Sequence, residues 1–436
     1  MDYRFFSILL SVALPVSAAA APDLPVRWQG TTEIATGPGE KGPWQQNDSR
    51  YHYVDDPTVS MDERGNAAVS WVDQTRKDVF FQSGGKTQDA GPLNVSRSPD
   101  TFSWLPRMVR APDSPQRLYM LWQEIVFTGG SHGGEMMFAY SNDNGGAFSE
   151  PINLSRSVGG DGKGRINAQV WHNGSYDLAA SGKGVLYAAW TEYDGPLWFS
   201  RSTDGGKHFS RAQRIAGGTN ARPARAPSLA LGKDNTVYLA WTNGEDEDAD
   251  IHLARSLDGG LSFDEPQIVA PAKGYADAPR LAVTPDGVLH LVYAQSQGGP
   301  FDRFRIMYTQ AGNARSFGVP RDISSPLPNG AESAAYPSFD TDERGRLYVV
   351  YELYRDHRKR PRGLGISVSL DGGKHFTQPA LVAHSEGEGT NGSHQGLLMK
   401  KLAVSGEGKI AIVNSSLQEG RQSRVWLIYA EVAEGR

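Results

Sequence analysis

Four stretches of the chain repeat one pattern, S-x-D-x-G-x-x-F: Ser141-Asn142-Asp143-Asn144-Gly145-Gly146-Ala147-Phe148, then Ser202 to Phe209, Ser256 to Phe263 and Ser369 to Phe376. The first three lie roughly 55 to 60 residues apart and the last gap is about double, which predicts a degenerate copy near Tyr308 to Phe317. A regular interval of this length marks a repeated supersecondary unit. In each octet the Asp carboxylate can accept backbone N–H groups around a hairpin turn, Gly takes dihedrals closed to other residues, and the aromatic ring plugs the sheet. Asp143, Asp204, Asp258 and Asp371 therefore read as structural staples, because the same turn recurs where only one active site has room.

A second pattern runs beside the octets: an extended segment, a tight turn with Gly or Asp, then an apolar strand ending in an aromatic. It spans Pro57 to Trp71, Pro106 to Trp122, Leu178 to Trp190, Pro227 to Trp241, Pro279 to Tyr293 and Pro337 to Tyr351. A seventh copy runs from Lys401 through Val413, with Asn414 in the aromatic slot. A third and a fourth strand follow in each unit, so each is a four-stranded antiparallel meander. The expectation is an all-β chain, a single β-propeller of seven blades, or six if the weak first or last unit is not a true blade. The last unit stops after its third strand, Arg424 to Val432, and the spare strand-like segment Val26 to Ile34 is expected to complete it and close the ring.

Composition narrows the setting. Arg4, the apolar run Phe5 to Val16 and the small residues Ser17 to Ala21 form the pattern of a cleaved signal peptide over residues 1–21, leaving 22–436 as the propeller. The run is too short to span a bilayer, so a periplasmic or secreted protein without a membrane span is expected. The chain has no cysteine, which excludes disulfides, thiolate metal ligands and a cysteine nucleophile. A net charge of −5 with interspersed signs gives no footprint for nucleic acid.

In a meander the octet turns sit on the rim opposite the loops that join blades. The joining loops and the loops between second and third strands share the other face. They carry the longest insertions, including Ser155 to Tyr176 with Trp171 and His172, and the basic run Arg355 to Arg362. Long loops on a rigid scaffold are where function concentrates. Polar residues gather there too: Glu124 and Glu192 two positions after a second-strand Trp, Glu352 directly after Tyr351, and Asp55, Asp56, Arg107, Arg225, Asp277, Arg280 and Glu332 at the mouths of the innermost strands.

With its octets and blade pattern, the chain from about Asp56 to Val432 resembles the Asp-box, or BNR-repeat, proteins of the sialidase-like superfamily. The resemblance implies three arginines clamping a substrate carboxylate, an Asp acid/base and a Tyr nucleophile activated by Glu. Carried over by position in the repeat, these are Arg107, Arg225 and Arg280 for the clamp, Tyr336 with Glu192 or Glu352 for the nucleophile pair, and Asp56 or Asp277 for the acid. Trp171 and His172 are further substrate contacts. The resemblance thus implies an exo-acting glycosidase or other carbohydrate-active enzyme whose partner is a glycan.

The Phe/Tyr-Arg-Ile-Pro motif of typical sialidases has no match here; Phe304-Arg305-Ile306-Met307 lacks the Pro and falls on a third strand. Its absence motivates the rival reading, a non-catalytic propeller that binds a glycan, peptide or assembly partner through the same face. His52, His172 and His394 all lie in joining loops but lack HxH or HxxxH spacing, and Glu245 to Asp250 forms no complete calcium loop. No metal or cofactor is expected, and the closed ring is expected to be a monomer.

Overall fold

The computed structural model describes residues 23–433 apart from 44, 46, 85–90, 126–133, 157–163, 167–170, 174, 193–194, 219, 270–273, 313–315 and 392–399. The expected signal segment and His394 lie outside the described residues. Among the described residues the chain forms seven antiparallel blades around a central channel. Six are consecutive meanders whose innermost strands are Val54–Met61, Ser103–Ala111, Tyr176–Ala180, Ala224–Leu231, Tyr275–Val283 and Ser333–Thr341. The seventh runs outward through Leu402–Val404, Lys409–Gln418 and Gln422–Val432 to Val26–Gly37, which pairs antiparallel with Gln422–Val432 and closes the ring. Seven blades, rather than six, and the N-terminal closure follow directly.

Where the sequence pattern sets Pro at the start of a first strand, the strand begins earlier and the Pro follows a bulge. Asp56, Leu105, Ala226, Ala278 and Tyr336 all have φ between +49° and +57°, and each precedes a Pro. The ladder shifts register at each of these points. Proline has no N–H to give a ladder, so it is tolerated where the pairing is already broken, and the bulge re-aims the neighbouring side chains. Blade 3 has no Pro on its inner strand and runs in continuous register from Tyr176 to Ala180.

The octets form the turns read from sequence. In blade 3, Ser202 Oγ donates to Asp204 Oδ1 (2.9 Å) and accepts from the Gly206 N–H (3.0 Å), while Asp204 accepts from the His208 N–H (3.0 Å). The other three octets repeat this set. Their aromatic rings reach across to the preceding blade. Phe148 meets Phe81, Phe209 meets Phe138, Phe263 meets Phe199 and Phe376 meets Tyr308, edge-on, with centroids 4.8 to 5.2 Å apart. Each octet thus staples two blades, a geometry favoured by the ring quadrupoles. The degenerate copy falls in blade 5, where Phe317 packs on the core and 313–315 lie outside the described residues.

Candidate functional site at the channel mouth

The bulge in blade 6 holds Tyr336 at φ +52° with its side chain partly accessible. Burial first, then the charges of Asp277 and Glu352, push its phenol well above the usual tyrosine range, and Arg225 and Arg360 oppose the rise. Tyr336 therefore sits within electrostatic reach of two carboxylates and two guanidiniums drawn from blades 4, 5 and 6. At neutral pH it carries its proton.

Glu352 is almost wholly buried and accepts from Lys401 Nζ (2.6 Å) and from the Tyr354 hydroxyl (2.9 Å). Lys401 opens the inner strand of blade 7 and also donates to Asn414 Oδ1 (3.2 Å). Asn414, in the slot where other blades place an aromatic, is buried and donates to the Ser385 carbonyl. The departure from the repeat is thus explained by the lysine it holds. Burial, then Glu352 and Tyr336, raise the Tyr354 phenol, while Arg360 lowers it.

Asp277 accepts from Thr242 Oγ1 (2.9 Å), its neighbour's N–H at Ala278 (2.7 Å) and the Tyr275 hydroxyl (3.2 Å), and lies 3.0 Å from Arg225 Nη2. Arg225 also lies over the Tyr275 ring. From blade 1, Asp55 accepts from Ser415 Oγ (2.6 Å) and Asp56 occupies the bulge. Tyr53 beside them is pushed up by burial and by both aspartates, against Arg360. Arg360, from the basic loop of blade 6, therefore reaches tyrosines of two blades.

Of the residues expected from sequence, Tyr336, Glu352, Asp277 and Arg225 meet here, with Asp56 at the blade 1 side. Arg107 and Arg280 lie in the channel, where they line a cavity of about 90 Å³ with Asp177 and Lys400. Arg280 is within electrostatic reach of Asp277, the partner of Arg225, as well as of Arg107 and Asp177, so the channel group adjoins the mouth group. Glu192 accepts from the Trp190 indole (3.4 Å), as Glu124 does from Trp122 (3.0 Å). Glu124 also accepts from Ser103 and Thr101, and burial pushes its carboxyl up against these bonds. Both follow one rule: a Glu two positions after a blade Trp holds the indole N–H. The backbone at Trp171–Asn173 pairs with Gly164–Ile166 in a hairpin, and the Trp171 and His172 side chains lie outside the described residues.

Sequence reasoning did not single out Lys401, Arg360, Tyr53 or Tyr354 as site residues. The signals were a polar residue at an inner-strand start, a basic loop, and tyrosines flanking the inner and second strands. Among the described residues one His/Asp/Glu group has metal-like spacing, Glu332 with Asp356 and His357. Its Glu332 already accepts from His357 Nδ1 (2.6 Å) and Arg303 Nε (3.2 Å).

No protein-family model and no curated protein sequence matches the chain. Solved structures do. A polysaccharide lyase, an ulvan lyase bound to -[GlcA(1-4)Rha3S]-, aligns over 94% of this chain and 97% of its own at TM-score 0.57 and 12% identity. A protein of unknown function from Dyadobacter fermentans aligns over 78% and 97% at TM-score 0.51 and 14% identity. An α-L-arabinanase of Penicillium chrysogenum complexed with arabinobiose covers 78% and 98% at TM-score 0.48 and 13% identity. At these identities the likeness is one of fold alone, and the fold is the seven-bladed β-propeller described above. Among the described residues no helix is long and apolar enough to cross a membrane.

Proposed function

We propose that the chain is an exported, sialidase-like propeller of the Asp-box kind that cleaves an acidic glycan at the channel mouth, with Tyr336 as the reacting side chain. The observation that carries this is the placement of Tyr336 on the blade 6 bulge, within electrostatic reach of the Asp277 and Glu352 carboxyls and the Arg225 and Arg360 guanidiniums. Both carboxylates are engaged in ion pairs, Asp277 with Arg225 and Glu352 with Lys401, and burial keeps the proton on Tyr336. This suits tyrosine chemistry better than a scheme that needs one protonated carboxyl and one carboxylate. Arg225 and Arg360 supply guanidinium forks for a sugar carboxylate or sulfate. In this reading Glu352 takes the Tyr336 proton as the phenol oxygen bonds to the anomeric carbon and the glycosidic C–O bond breaks, the departing oxygen taking a proton from water. A second water then hydrolyses the glycosyl–tyrosine bond, and Lys401 and Tyr354 fix Glu352 in place. The GlcA-containing ligand of the polysaccharide lyase neighbour fits an acidic glycan as the substrate class. Export rests on the signal-peptide pattern of residues 1–21.

The test incubates the mature protein with fluorogenic exo-glycosides, including a sialoside, and with acidic polysaccharides. Released fluorophore, reducing ends and the ultraviolet absorbance of unsaturated uronate are followed beside Tyr336→Phe. Turnover lost in Tyr336→Phe supports the reading, and turnover that survives it overturns the role of Tyr336. A second reading, a propeller that binds a glycan without cleaving it, is favoured by the full engagement of Asp277 by its four partners. Glycan binding with no product in any channel would establish it.

A further inference from the structure

Below the mouth the channel concentrates buried cationic charge. Arg107 and Arg280, from the inner strands of blades 2 and 5, are both more than nine-tenths buried and line one cavity with Lys400. Asp177 is the carboxylate lining that cavity. It is already shared among Arg107 Nε (2.8 Å) and the N–H groups of Leu178 (2.9 Å) and Leu229 (2.8 Å). Two more carboxylates stand nearby, Asp277 beside Arg225 and Asp340 within reach of Lys400. The cavity lining itself sets three cations, Arg107, Arg280 and Lys400, against one carboxylate, Asp177, and burial pushes the nearby Asp340 carboxyl up toward its neutral form.

Arg107 Nη1 is buried with no hydrogen-bond partner among the described residues. A buried guanidinium donor left open costs free energy, and two guanidiniums in one enclosed space repel. Burial, and then Arg107, lower the Arg280 guanidinium to about 9, against the opposing pull of Asp177 and Asp277. The cavity, about 90 Å³, has room for one small oxyanion or a few waters. A doubly charged oxyanion offsets the excess charge and accepts from Arg107 Nη1, and water does only the second.

We propose that the propeller channel is a binding site for a small inorganic oxyanion of the sulfate or phosphate type, held by Arg107, Arg280 and Lys400. The site does not rest on the glycan reading, because none of these three residues belongs to the Tyr336 group. The same chemistry has a second source, a sulfate or carboxylate carried on a glycan and reaching down from the mouth.

The experiment is calorimetric titration of the mature protein with sodium sulfate at constant ionic strength set by chloride, with thermal unfolding followed in parallel. The expected result is saturable binding and a rise in Tm of about 3 °C at a hundredfold excess over Kd. Lys400→Gln and Arg107→Gln each weaken binding at least tenfold, while Tyr336→Phe binds sulfate as the wild type does. Lys400→Gln leaves the Arg107–Asp177 pair untouched, so it tests the site even if Arg107→Gln fails to fold. Tm that follows ionic strength alone, or sulfate affinity unchanged in Lys400→Gln, overturns the proposal. Heat released only by a sulfated oligosaccharide and not by free sulfate also overturns it, assigning the channel to the glycan instead.

Discussion

Lys401 and Glu352 face each other at 2.6 Å with both side chains almost fully buried. A pair of this kind adds little net stability, but removing one partner leaves a charge in low dielectric. Lys401→Met is expected to destabilise the fold by about 3 to 5 kcal/mol, read by urea unfolding. The double variant Lys401→Met with Glu352→Gln should recover part of that loss, since it removes the stranded charge; no recovery would mean that the cost is packing. Tyr336→Phe keeps the ring and its bulge and deletes the reacting oxygen. Under the proposed reading kcat falls at least a hundredfold with glycan affinity kept, a split measured by single-turnover kinetics beside equilibrium binding. At this scale the repeat made Tyr336, Asp277 and Glu352 legible, because their offsets from the blade aromatics place them at strand mouths. Lys401 and Arg360 were not legible as site residues. Their partners lie on other strands, and no local pattern says that a lysine opening blade 7 meets a glutamate of blade 6 some 49 residues before it.

The octet was legible in its Asp-capped turn and its glycine; the serine's bonds to the Asp and to the Gly N–H, and the partner of the aromatic ring, were not. Nothing in S-x-D-x-G-x-x-F says that the Phe docks on the preceding blade, or that this docking is why the second glycine in three of the four octets is small. Gly206 has φ +87°, and a Cβ there would stand 2.5 Å from the Phe138 ring. Gly206→Ala is therefore expected to cost about 2 to 4 kcal/mol, combining left-handed strain with overpacking. Urea unfolding of this variant beside Gly205→Ala, where a Cβ meets nothing, separates the two terms. The octet aspartates also set an acid limit. The N–H of His208 holds Asp204 down, to about 2, and the N–H of Ala147 lowers Asp143. A carboxyl depressed in the folded state stabilises above its unfolded value near 4, and that contribution is lost as pH falls toward 2. The Tm gap between wild type and Asp204→Asn should be full at pH 6 and should narrow from about pH 4 to pH 2. A gap that stays constant over that range would remove the carboxylate from the account.

The ring as a whole depends on one strand from the far end of the chain. Val26–Gly37 pairs along its length with Gln422–Val432, from Val26 opposite Val432 to Gly37 opposite Ser423. Val26 and Trp28 pack on one core cluster and Ile34 and Ala35 on the next, so the strand contributes burial as well as hydrogen bonds. Its ion pairs, Arg27 with Glu431 and Arg424 with Glu33, are exposed and worth little by comparison. The spare N-terminal strand could be read from sequence because the last unit visibly lacked a partner; its length could not, because the register bulges at Trp28/Gly30 and Glu33/Ala35 interrupt the alternation that marks a strand. Without it, the edge of Gln422–Val432 presents unpaired backbone groups to other chains. Deleting residues 1–37 is therefore expected to lower Tm and drive aggregation, while deleting residues 1–22 leaves both unchanged, as measured by light scattering on heating. A synthetic peptide spanning residues 25–38 added during refolding should restore a monomeric ring by strand addition, since the backbone partners are all in place. Failure of the peptide to restore solubility would mean that the seventh blade needs the covalent link, and so that closure acts by fixing the chain end rather than by covering the edge.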